Sequence, residues 1–233
     1  MNKTFWIYGD SWAWGWAGKD PNPKQFENRY SLLFADYLKI TKIIDESMFG
    51  LSLGHITELF LKQTVNMKQG DVVFITIPPD SRCYITSDDM NTMQSIFFNN
   101  EKYKKILEIN NYNLYYFSYH LNLFITLISD VCYRLGLECI IQHNYGKLEL
   151  FDWCRTQDIL DIENSMWDWL GLPNAYDLSQ FKSNDGPDFT LKNNKSADKY
   201  LLTNGDEYDS HPNELGHQLI FEKIINIYQS KNH

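Results

Sequence analysis

No apolar stretch in the 233 residues approaches the roughly 20 that a membrane span needs. The longest candidate, 121–131, is broken by Asn122, Thr126, Ser129 and Asp130. A secretory signal is not visible either. The apolar run 4–8 is cut off by Gly9 and Asp10, short of an apolar core of roughly 7–15 residues. The expectation is a soluble, cytoplasmic protein with no membrane partner. Basic charge is also scarce: 21 Lys and Arg face 30 Asp and Glu, a net charge of −9. That balance argues against duplex DNA, whose phosphates demand a basic surface, and no nucleic-acid partner is expected. The four cysteines, Cys83, Cys132, Cys139 and Cys154, form no C-x-x-C pair and stand at no zinc-finger spacing from a histidine. They read as reduced, buried thiols, because a disulfide scaffold is rare at this length and density. Neither a metal-binding H-E-x-x-H or EF-hand pattern, nor a phosphate loop, nor a dinucleotide fingerprint occurs. No cofactor and no metal are therefore expected.

What is present is the composition of a globular domain. Apolar residues make up 43% and aromatics 15%, which excludes a disordered chain. Repeats, low-complexity tracts and linkers are missing, so residues 1–233 read as one domain. Residues 5–8 form a buried-strand signal ending at Gly9. Tyr30, Leu33, Phe34, Tyr37 and Leu38 recur at helical spacing and predict a helix over 27–39. A strand at 41–44 comes next, then a helix through Ile56, Leu59, Phe60 and Gln63 that Gly70 is expected to end. The run 71–77 is the strongest strand signal, stopped by Pro78 and Pro79. A long helix over 112–135, a strand over 138–142, a helix over 158–170 and a closing helix from 213 onward complete the pattern. Two polar stretches interrupt it. Residues 80–110 read as an insertion or lid with a short helix, and 181–208 as a long loop. The β-α-β-α-β order predicts a parallel sheet with helices on both faces, a three-layer α/β/α sandwich.

In such a sheet, ligands bind beyond the carboxyl ends of the strands. The first strand ends in Gly9, Asp10 and Ser11. The second runs into Gly50, Ser52 and Gly54, and the third into Asp80. The last helix is preceded by Asp209, His211 and Pro212. These stretches bring a serine, glycine amides, a histidine and acids to one edge. A serine hydroxyl becomes a nucleophile at neutral pH only beside a base. That base needs an acid to orient it, and the oxyanion formed on attack needs backbone donors.

The motif IYGDSWAWG at 7–15 and the motif DSHPNELGHQLI at 209–220 resemble the first and last blocks of the SGNH/GDSL hydrolases. They stand near opposite ends of the chain, as in that family. The resemblance implies a flavodoxin-like α/β/α fold and ester hydrolysis through an acyl-serine. It makes Ser11 the nucleophile and His211 the base. The family places its acid three residues before the histidine, where this chain has Tyr208. Asp209 is the candidate acid, with Asp206 and Glu207 as fallbacks. Pro79 stands about where the family has an oxyanion-hole asparagine. The hole would lean on the amides of Ser11 and of Gly54 or Gly50, with Asp80, Ser81 or Arg82 nearby. Asp10, Trp12, Trp14, Asp80 and Arg82 are the candidate substrate-binding residues. The indoles of Trp12, Trp14 and Trp16 read either as core or as a platform for a sugar ring or acyl group. The expected partner is a small-molecule or carbohydrate ester, such as a short acyl or O-acetyl ester.

Three other readings compete. GLSLG at 50–54 matches the G-x-S-x-G nucleophile elbow of α/β-hydrolases, with Ser52, Asp177 and His211 in the right chain order. Only fifty-one residues precede Ser52, too few for the strands such a sheet needs there, and Ser52 also fits a helix N-cap. A glycan-binding or structural module with an impaired oxyanion hole is the second. An acyltransferase using the same serine is the third. His55 is a candidate to line the site, and His217, six residues after His211, reads as structural.

Overall fold

The computed structural model describes residues 3–15, 25–48, 51–78, 82–86, 93–97, 114–145, 148–172, 195–204 and 207–232. Side chains are described for all of these except 82–86, 93–97, 114–117, 203–204 and 207–210. Four strands make the central sheet: β1 (Thr4–Tyr8), β2 (Lys42–Asp45), β3 (Val72–Ile77) and β6 (Glu138–His143). Their order is β2-β1-β3-β6, and every pairing is parallel. Parallel strands need crossovers, and helices supply them: α2 (Tyr30–Tyr37), α3 (Leu53–Gln63) and α4 (Leu114–Leu135).

The side-chain alternation of β1 explains the layers. Phe5 and Ile7 point to one face, where Phe74 and Ile140 join Phe34 of α2 and Ile220 and Ile224 of the C-terminal helix. Trp6 and Tyr8 point to the other, packing with Val73, Ile75, Ile56 and Phe60 of α3 and Ile125 and Ile128 of α4. Both faces are covered, so the inner strands are apolar at nearly every position. The fold is the expected three-layer α/β/α arrangement. Buried Asp71 clamps its amino end, accepting from Thr4 N at 2.8 Å, Trp6 Nε1 at 3.1 Å and Lys68 N at 3.0 Å. Burial pushes the Asp71 carboxyl up, but these three donors outweigh it and hold its pKa below the ordinary value.

Several elements differ from expectation. Helix α3 ends at Gln63 in a single 3₁₀ turn, Thr64–Asn66, rather than running to Gly70. Gly70 instead takes a φ of +86° in the turn before β3 and donates to Gly136 O at 2.8 Å. The helix expected over 158–170 shrinks to α5 (Met166–Trp169), because side chains take its backbone partners. Asp161 accepts from the amides of Glu163 and Asn164, Gln142 accepts from Asp161 N, and Ser165 with Asp168 closes a capping box. Within 80–110 the described residues form a hairpin, β4 (Arg82–Thr86) antiparallel to β5 (Met93–Phe97). The short helix expected there lies outside the described residues. The loop expected over 181–208 instead contains α6 (Lys195–Tyr200) and β7 (Leu201–Asn204), with β7 antiparallel to β8 (Glu207–Pro212). That hairpin leads into α7 (Glu214–Lys231).

Candidate active site

Beyond Tyr8 the chain leaves the sheet through Gly9 and turns at Asp10 into a four-residue helix, α1 (Ser11–Trp14). Asp10 is extended (φ −92°, ψ −158°) and caps this helix, its Oδ1 accepting from Trp12 N at 3.1 Å. Gly9 has no room for a side chain. A Cβ there would sit 2.0 Å from Thr76 Oγ1 and 2.6 Å from Ala13 Cβ. The far end of α1 is fixed as well. Gly15 caps it at φ +74°, with the Arg29 side chain packed against it, and Ser31 Oγ donates to Ala13 O at 3.1 Å. Arg29 is itself held by a part-buried ion pair to Asp45, just past which Met48 N donates to Gly9 O at 3.1 Å.

The C-terminal hairpin delivers the partner. His211 lies in β8, and its Nε2 stands 2.7 Å from Ser11 Oγ. Asn213 anchors the start of the next helix. Its Oδ1 caps α7 by accepting from Gly216 N at 3.0 Å, and its Nδ2 donates to Lys199 O and Leu201 O at 2.9 and 3.1 Å. His217, about one turn further on, is fully buried between Phe26 and Tyr30, each ring centroid 5.4 Å away. Burial, with Arg29 and His211 adding like charge, holds its pKa down at about 3. Tyr30 titrates far above its usual range, through burial first and the Asp10 carboxylate second.

Ser11 and His211 are thus brought together. Asp209 lies in β8 opposite Leu202; its side chain is not among those described. Gly54 stands in the first turn of α3, buried. Gly50, Asp80, Asp177, Asp206 and Trp16 lie outside the described residues, and Arg82 opens β4 with its side chain undescribed. Trp12 is buried against Tyr145 and Trp167 in the core, so its ring is not displayed as a platform; Trp14 is half-buried. Ser52 is the N-cap of α3, its hydroxyl accepting from the His55 backbone N–H, as the cap reading required. The same hydroxyl stands 3.2 Å from His55 Nδ1, so one ring nitrogen of His55 is engaged there. Cys132, Cys139 and Cys154 are free thiols; Cys132 and Cys154 are buried as expected, whereas Cys139 is only partly buried.

One residue escaped the sequence reading. Asn144, directly after β6, is fully buried and donates from Nδ2 to Asp10 Oδ1 at 2.8 Å. The rule that ligands gather at strand carboxyl ends, applied to the fourth strand as to the first three, points to this position.

Among the described residues no group of His, Cys, Asp and Glu is placed to hold a metal ion, and no helix is long and apolar enough to cross a membrane. No family model matches the chain, and no curated protein matches it. Among solved structures it is similar to the psychrotrophic esterase EstA from Pseudoalteromonas sp., with 12% identity and a TM-score of 0.44 over 98% of this chain and 97% of that one. It is also similar to the lipase Lip_vut3 from a goat rumen metagenome, with 14% identity and a TM-score of 0.47 over 97% of each chain. At this distance the reading of function rests on the site itself.

Proposed function

We propose that this chain is a serine ester hydrolase of the SGNH type, acting on short acyl esters. The observation that carries the reading is the 2.7 Å contact between His211 Nε2 and Ser11 Oγ. A neutral imidazole at that distance accepts the hydroxyl proton as Ser11 attacks an ester carbonyl. The backbone amides of Ser11 and Gly54 take the developing oxyanion. The tetrahedral intermediate collapses, the alcohol leaves with the proton from His211 Nε2, and the acyl group stays on Ser11. Water then gives its proton to the same nitrogen and releases the acid, restoring the free serine. Asp209 is the acid assigned to orient His211. With Trp12 buried, Trp14 and Trp16 are the indoles assigned to contact a sugar-borne O-acetyl substrate.

The test is hydrolysis of p-nitrophenyl acetate by wild type, Ser11→Ala, His211→Ala and Ser52→Ala, each verified as folded. Loss of activity in the first two variants with most of it kept in Ser52→Ala supports the reading. Loss in Ser52→Ala with retention in Ser11→Ala overturns it. A wild type inactive on every ester offered also overturns it, in favour of a transferase or binding module.

A further inference from the structure

Asp10 and Asn144 are each fully buried and 134 positions apart in sequence. In the sheet order, β3 separates the strands they come after, so the Asn144 side chain reaches across the end of β3 to meet Asp10. The direction of the bond is set by chemistry. A carboxylate only accepts, so the amide nitrogen of Asn144 faces it and donates. The backbone of Asn144 is clamped from both sides: its N–H donates to Ile77 O at 3.1 Å, and its carbonyl accepts from Trp167 N at 3.0 Å. This side chain therefore starts from a rigid base at the sheet edge. The oxygen it holds, Asp10 Oδ1, is the same atom that caps Trp12 N and so starts the helix whose first residue is Ser11.

We propose that Asn144 is a positioning residue for the nucleophile: by holding Asp10 Oδ1 it fixes the turn that sets Ser11 against His211. This rests on the serine hydrolase reading above. Asn144 touches neither reacting atom. Without its donor, the buried carboxylate loses one of the bonds that set its rotamer, and α1 shifts with its cap. A displacement of about 1 Å at a reacting group costs about 100-fold in rate.

The experiment measures the rate at which a fluorophosphonate labels the full chain. Ser11 Oγ bonds to phosphorus, fluoride leaves, and His211 takes the serine proton; peptide mass spectrometry identifies the labelled residue. Asn144→Ala is expected to label Ser11 about 100-fold more slowly than wild type, by a ratio that does not change with pH. Asn144→Asp places two carboxyls within hydrogen-bonding distance, so one of them holds its proton unusually tightly. While it does, the pair is still bridged by a donor, and labelling stays near the wild-type rate. Its ratio to wild type is expected to fall as the pH is raised from about 6 to about 9 and that proton is lost. Labelling of Asn144→Ala within about threefold of wild type overturns the proposal, since a 1 Å displacement predicts far more. If Asn144→Ala does not fold, Asn144→Asp decides alone, and a ratio independent of pH overturns the proposal. A wild type that takes no label at Ser11 overturns the hydrolase reading and the positioning role with it. A labelled wild type beside a flat Asn144→Asp ratio overturns the positioning role only.

Discussion

His211 Nε2 lies 2.7 Å from Ser11 Oγ, the two residues being 200 positions apart in the chain. Neither residue reaches this position by its own local structure alone. Ser11 is held by a four-residue helix that needs Asp10, Asn144 and Gly15 to keep its shape. His211 is held by a hairpin strand and by the cap residue two positions later. The contact is thus the meeting point of a β1 exit and an α7 entry, and changes at either support are expected to alter it.

Ser52 offers the contrast. Its hydroxyl caps α3 and pairs with His55 rather than His211. Ser52→Ala is expected to lower stability by about 1 kcal/mol, the usual worth of a serine cap, while esterase activity per folded molecule stays near wild type. Urea denaturation alongside the activity assay checks both halves. A variant with wild-type stability and no activity contradicts this account.

At Gly9 the expected change is steric. Gly9→Ala drives a methyl group into Thr76 Oγ1 and Ala13 Cβ, and it is expected to cost about 3 kcal/mol and to displace α1. Adding Thr76→Ala removes the 2.0 Å clash but leaves the 2.6 Å one, so the double variant recovers part of the stability. A Gly9→Ala protein with an unchanged denaturation midpoint would falsify the packing described for this turn.

Much of this architecture was legible in the residues. β1 and β3 are continuous apolar runs, which mark strands buried on both faces, and both motifs that meet at the site carry their own punctuation. Asn144 was harder to see, because a lone asparagine after an apolar strand carries no local signal; its partner is defined by sheet order alone. The hairpin before His211 was hidden for a related reason. Its second strand, EYDSHP, has no apolar alternation and exists through pairing with β7. At 158–165 the apolar spacing suggested a helix, but Asp161, Gln142 and Ser165 satisfy the backbone there through side chains, and local hydrogen bonding overrode periodicity.

Arg29 and Asp45 tie α2 to the end of β2 by an ion pair whose side chains are only 7% and 20% exposed. Removing Arg29 leaves the Asp45 carboxylate without its counter-charge, with Ser47 N still donating to its Oδ1 at 2.9 Å. Arg29→Met is expected to destabilise the protein by about 3 kcal/mol, and the double variant Arg29→Met/Asp45→Asn by clearly less. Because Arg29 also packs on Gly15, the single variant should lose esterase activity beyond its loss of folded protein. Guanidinium denaturation of both variants makes the comparison, and equal stabilities for single and double variants would remove the ion pair from the account.

The buried ring of His217 predicts how stability depends on pH. In the folded chain it stays neutral down to about 3, whereas the unfolded chain takes up a proton near the ordinary 6.5. Between these values the unfolded state binds more protons, so stability falls as pH falls through that window. Integrated to pH 5, this one residue costs about 2 kcal/mol relative to neutral pH. His143, whose pKa burial also lowers, acts in the same direction. Replacing His217 with Met, which is uncharged at any pH and flexible enough to fill the slot between Phe26 and Tyr30, should flatten the stability profile between pH 7 and 5 by about the same 2 kcal/mol. Denaturant midpoints of wild type and His217→Met at the two pH values give the answer. Parallel profiles would mean that His217 is protonated in the folded protein or reaches water, and the buried position assigned to it would be wrong.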